Sequence, residues 1–394
     1  MRKELVWLMV ASLFAACGTA ATDAPGGDRG ASKPGSWRVL ADAPLSPRSG
    51  HHGVWTGREM VLWGGTELSD RDGLEFRPAG DGAAYDPAQD SWRKISPAPF
   101  GGGGNLSSVW TGREMILWGG GDDAGASASV GGAYDPEADA WRVIAPGPLP
   151  GRAGHLAVWT GAEMIVWGGS LTGAGRERYD GRGAAYDPRT DSWRELPRGP
   201  LPAGYDATGA WTGSEVVVLA TPVGDEPAGA PKRAEAAAYD PARDTWRSLS
   251  RPPMAAYVGP PGAFLDGELF LLSLGGTVDG GETNGYARPY ETGGILNVVR
   301  NQWRAHSAAP SPPNQSWPQV ALEDEIVIDG LAYRPADDSW RALPDFPLHP
   351  REFPCLVWTG DELIVWGGAE LAEGDVHYDP APLLGDGAAY APGT

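Results

Sequence analysis

The chain has 394 residues, a formal net charge of -20 and 41% apolar residues, with 58 Gly, 37 Pro and 18 Trp. That charge argues against a nucleic-acid partner, which would need a basic face. So much Gly and Pro implies many turns, and no long amphipathic helical pattern stands out.

Residues 1–17 open with Arg2 and Lys3 and continue into the apolar run Leu5 to Ala16. The run is too short for a permanent membrane helix and reads as an export signal. Ala15-Ala16-Cys17-Gly18 resembles a bacterial lipobox, with Phe14 where Leu is more usual. The expectation is a lipid on Cys17, which would anchor an exported protein at the cell envelope, on the periplasmic side or at the surface. Cys355 is the only other cysteine, so no intrachain disulfide is expected once Cys17 is lipidated or removed. Residues 18–35, rich in Gly, Ala, Asp, Thr and Pro, read as a flexible linker.

From Trp37 onward the chain repeats itself. In one copy, Val158-Trp159 ends a short apolar run, Thr160-Gly161 is a turn, and Met164 to Trp167 is a second run. That is the chemistry of a tight β-hairpin. Gly168-Gly169 closes the second strand. Gly183 to Tyr186 reads as a third strand, Asp187-Pro188 as a turn, and Trp193-Arg194 as the start of a fourth. The Trp-Arg pair recurs at Trp37, Trp92, Trp141, Trp193, Trp246, Trp303 and Trp340. A Glu after the first turn recurs at Glu59, Glu114, Glu163, Glu215, Glu268, Glu325 and Glu362. The third-strand Tyr is replaced by Leu296 in the fifth copy. Residues in every copy serve the scaffold, and those in a few copies are open to other uses.

A double glycine, then Tyr, then Trp resembles the kelch repeat. Pairs stand at Gly64-Gly65, Gly119-Gly120, Gly168-Gly169, Gly275-Gly276 and Gly367-Gly368, whereas the fourth and sixth copies depart with Ala220-Thr221 and Asp329-Gly330. The resemblance covers residues 36–394. It implies an all-β fold, a seven-bladed kelch β-propeller like the galactose oxidase central domain. The N-terminal strand Trp37-Leu40 would close the last blade beside Tyr390. The copper chemistry of galactose oxidase is not expected, because Cys355 falls inside a strand-one pattern.

Arg48, Arg152 and Arg351 precede the first strand of three copies, and His51 and His155 follow their Arg by three residues. Such a set could grip an anionic ligand, since guanidinium forks match carboxylates; equally, Pro-Arg-x-x-His could simply brace the loop. No metal, cofactor or nucleophile motif is evident, and the chain is expected to be a monomer. The favoured function is non-enzymatic: an envelope-anchored propeller binding a protein or glycan through the long connections after strands two and four. The alternative is a periplasmic mutarotase or epimerase acting on an anionic sugar such as sialic acid.

Overall fold

The computed structural model describes residues 35–68, 76–101, 104–121, 129, 131–171, 178–222, 234–252, 262–271, 275–276, 288–289, 294–311, 317–371 and 382–393. The proposed leader and linker lie outside them, apart from Gly35. No helix among the described residues is long and apolar enough to cross a membrane.

The third repeat shows how the sequence makes its sheet. Leu156–Trp159 and Met164–Trp167 pair antiparallel, with Trp159 opposite Met164. The Thr160 hydroxyl donates to the Glu163 carbonyl and accepts from the Glu163 amide, both at 3.0 Å, while Gly161 takes φ +89°. A side chain closes this turn and a glycine supplies its left-handed residue. Gly183–Asp187 then pairs with the second strand, and Ser192–Glu195 with the third, Tyr186 facing Trp193. In the last turn Asp191 sits at φ +48°, a conformation Asp tolerates better than most residues. Gly169 is needed for another reason: a Cβ there would lie 2.9 Å from the Ala153 carbonyl.

Six further sheets have the same four-stranded form. In one, Ser36–Val39 supplies the fourth strand and pairs with Gly387–Ala391, Trp37 opposite Tyr390. In the short sixth repeat, Asp329 and Gly330 take φ +44° and +73°, so a primed two-residue turn joins Ile326–Ile328 directly to Leu331–Arg334. One three-stranded and three two-stranded sheets flank these among the described residues. The three-stranded one joins Arg48–Ser49, Thr66–Leu68 and Phe76–Pro78.

The expectation of a closed seven-bladed kelch propeller, galactose-oxidase-like, is corrected here. Among the described residues all-β content holds, but no sheet closes or curls into a ring. Each of the seven larger ladders ends at its own fourth strand, leaving discrete units of two to four strands among the described residues. What joins the units is side-chain packing. First strands of successive sheets touch, and Cys355–Trp358 of the last touches His52–Trp55 of the first. The hydrophobic core is correspondingly divided into clusters lying between sheets. Ile165 and Trp167 meet Val216 and Val218 in one, and Cys355 and Ile364 meet Met60 and Leu62 in another. The fully buried tryptophans Trp63, Trp118, Trp167 and Trp366 lie on second strands and fill these layers.

Candidate functional site

Polar side chains stitch the apolar layers together in a repeating pattern. Arg142 of the second sheet donates from Nε and one terminal nitrogen to both oxygens of Glu114, at 3.0 and 2.8 Å. Its other terminal nitrogen donates to the Tyr186 hydroxyl of the third sheet at 3.0 Å, and Tyr186 donates to Asp191 at 2.6 Å. Asp191 in turn accepts the Ala145 amide from the chain leaving the second sheet. A bidentate ion pair within one sheet is thus bonded to a Tyr–Asp pair in the next. Burial, with the hydrogen bond to Asp191, raises the Tyr186 pKa to about 12. The same set holds Arg38, Glu362, Tyr85 and Asp90. Where Leu296 replaces the tyrosine, Arg247 keeps Glu215 but turns a nitrogen to the Val298 carbonyl at 3.2 Å.

Substituting Tyr186→Phe removes one donor and one acceptor from this staple. The expected loss is about 1–2 kcal/mol of unfolding free energy, read as a lower urea midpoint. An unchanged midpoint would show that the staple is ornamental to stability.

Arg48, Arg152 and Arg351 lie beneath the surface, each no more than 1% exposed. Their guanidiniums meet the same kinds of partner at three places, two backbone carbonyls and one Asp carboxylate. Arg152 Nε donates to the Pro150 carbonyl at 3.2 Å, one terminal nitrogen to the Gly168 carbonyl at 2.7 Å, and the other to Asp180 at 3.0 Å. Arg48 reaches the carbonyls of Ser46 and Gly64 and pairs with Asp81 at 2.8 Å. Arg351 reaches those of His349 and Gly367 and pairs with Asp386 at 3.1 Å. Each arginine fills the carbonyl cradle made where its double glycine bends the chain away from the second strand. Desolvation lowers the pKa of Arg152 and of Arg351, against the opposing pull of Asp180 and Asp386.

His51 and His155 are matched in the same way. His155 stands edge-on to Trp118 and His51 edge-on to Trp366, each with ring centroids 4.9 Å apart at 79°. His155 Nε2 and the Ser107 hydroxyl lie 2.6 Å apart, bonding a loop to the neighbouring first strand. Burial and the nearby Arg152 charge push the His155 pKa down to about 3. Burial and Arg48 do the same to His51, also to about 3, and burial alone brings His52 to about 4. All three are neutral imidazoles at physiological pH. Ser107 and His52 were not identifiable from sequence: each occupies a first-strand position where other repeats carry apolar or different polar residues.

The structure therefore brings each His beside its own Arg, and sets the Arg–His pairs in separate interfaces. Among the described residues no group of three or more His, Cys, Asp or Glu could hold a metal ion. Cys355 is buried in a first strand and forms no disulfide. These findings correct both functional expectations. Without a closed propeller there is no propeller loop face to bind a partner, and no catalytic metal or cysteine arrangement among the described residues supports a mutarotase. Parts of the long connections, including 172–177, 223–233, 277–287 and 372–381, lie outside the described residues. Cys17 lies outside them as well. No protein-family model matches this chain, and no curated protein matches it in sequence.

Proposed function

We propose that this chain is a non-catalytic β scaffold, exported and held at the cell envelope by a lipid on Cys17, with a protein or glycan as its partner. The observation that carries the reading is the fate of the polar residues. The seven strand-four arginines each bond the Glu of their own sheet, as Arg93 bonds Glu59 and Arg341 bonds Glu325. The loop arginines are buried on the chain's own carbonyls. Groups that could have held or transformed a substrate instead bind sheet to sheet and loop to strand, which suits a stiff module. The lipobox-like Ala15-Ala16-Cys17-Gly18 and the Gly- and Pro-rich stretch after it support tethering.

The test is fractionation and intact mass of the full-length gene product in a bacterial host that lipidates exported proteins. The wild type is expected in the membrane fraction, carrying acyl mass on Cys17, and Cys17→Ser is expected to lose both. Recovery of unmodified wild type in the soluble fraction would overturn the anchoring.

A further inference from the structure

We propose that the seam between the fourth and fifth sheets is a built-in opening point, which parts ahead of the stapled seams and exposes an aliphatic layer while the rest of the fold stays closed. The fourth sheet contains Gly204–Trp211 and Val216–Pro222, and the fifth contains Ala263–Leu265 and Glu268–Leu271. The opening depends on neither the lipid anchor nor the partner proposed above.

Three departures from the repeat coincide here. First, Thr208 pairs with Leu219 in the register where His52 pairs with Trp63. Leu219 therefore stands where four other sheets place the fully buried Trp63, Trp118, Trp167 and Trp366. The layer is accordingly aliphatic, with Val217, Leu219 and Ala238 of the fourth sheet meeting Leu269, Leu271 and Leu296 of the fifth. Second, Leu296 stands where the staple needs a tyrosine. At other seams Tyr85, Tyr134, Tyr186, Tyr239 and Tyr333 donate to Asp90, Asp139, Asp191, Asp244 and Asp338 at 2.6–2.7 Å. Third, Asn301 replaces the turn Asp. The cross-seam ion pair that Arg194 makes with Asp244 at 3.0 Å thus has no counterpart for Arg247 among the described residues. Arg247 instead reaches the Val298 carbonyl at 3.2 Å.

Two bonds that still cross this seam lie at its exposed rim. The Ser250 amide donates to Asn301, and Trp303 Nε1 donates to the Ser250 carbonyl, both at 2.6 Å. Their like recurs at the next seam, where Ser307 bonds Asp338 and Trp340, so they do not compensate for the missing staple. The free energy of a local opening is set by the contacts it breaks, and a seam with smaller buried side chains and fewer bonds opens more often. Each lost hydrogen bond shifts that equilibrium several-fold, so the opened population should be at least about tenfold larger than at the neighbouring seam.

Thiol labelling of the full chain under native conditions, read peptide by peptide by mass spectrometry, tests the opening. Ala133, Ala185 and Ala238 share one third-strand register, opposite Arg142, Arg194 and Arg247, and each is no more than 1% exposed. Ala133→Cys reports the seam of the second and third sheets, Ala185→Cys that of the third and fourth, and Ala238→Cys that of the fourth and fifth. Ala238→Cys is expected to label at least about tenfold faster than the other two. Adding Leu296→Tyr with Asn301→Asp, which rebuilds the staple, is expected to slow that labelling several-fold. Conversely, Tyr186→Leu with Asp191→Asn is expected to speed labelling of Ala133→Cys, a comparison that stands even where the rebuilt variant fails to fold. Equal labelling at all three positions, or slower labelling at Ala238→Cys, would overturn the opening point. So would labelling of Ala133→Cys that is unchanged when its own staple is removed.

Discussion

Replacing Arg152 by Met is expected to destabilise the protein by roughly 3–5 kcal/mol, the cost of breaking a buried ion pair from one side. Met keeps much of the aliphatic volume, so the loss reports the guanidinium and not a cavity. With it go the bonds to the carbonyls of Pro150 and Gly168, and Asp180 loses its ion pair with Arg152. The carbonyls are held where the chain bends past Gly168 and Gly169, away from alternative donors. A control comes from Arg243, a pair with Asp240 whose arginine is 79% exposed; Arg243→Met should leave the midpoint nearly unchanged, because water and salt screen exposed pairs. Urea unfolding at constant slope separates the two. Equal, small effects at both positions would mean that the buried arginines do not brace the loops.

Acid should weaken the fold well before most carboxylates titrate. His51, His52 and His155 have folded pKa values of about 3, 4 and 3, all below their ordinary 6.5, chiefly because burial disfavours the charged ring. A group with a depressed folded pKa stabilises the fold above its unfolded pKa, and that stabilisation is lost as pH falls through the window down to the folded value. Here the window runs from 6.5 to between 3 and 4. Within it each histidine contributes a slope of about 1.4 kcal/mol per pH unit, so three together give about 4 kcal/mol per unit. Denaturant midpoints at pH 7, 6 and 5 check this, with His52→Gln expected to remove about a third of the slope. A flat profile from pH 7 to 5 would show that the rings protonate without penalty. The turn and interface carboxylates act lower down: hydrogen bonds to Tyr186 and Ala145 hold Asp191 below the usual range, so its contribution is lost only in stronger acid.

Much of the local structure could be read from the letters. Thr160-Gly161 between two apolar runs specifies a hairpin because one side chain and one left-handed residue suffice to close it. Asp187-Pro188 specifies a turn for an equally local reason: Asp187 accepts the Arg189 amide at 2.9 Å two residues on. The candidate site was less legible. That Arg152 stands near a double glycine is visible in sequence. That it points under the loop into carbonyls, with no exposed fork for an anion, depends on where Gly168 and Arg182 lie in space. The same is true of Trp246, whose indole Nε1 donates to the Pro197 carbonyl of a different repeat.

By itself, the sequence determined all-β content, the strand and turn positions of each repeat, and which residues recur. These follow from side-chain period, turn chemistry and backbone freedom within a few residues. Only the tertiary structure decided that the ladders stop at four strands and that the sheets meet through side chains. It also decided that the loop arginines and histidines are buried braces. Those outcomes are set by contacts between residues roughly fifty to three hundred positions apart, such as Trp246 with Pro197 and Arg38 with Glu362. Neither composition nor periodicity carries the information for such contacts.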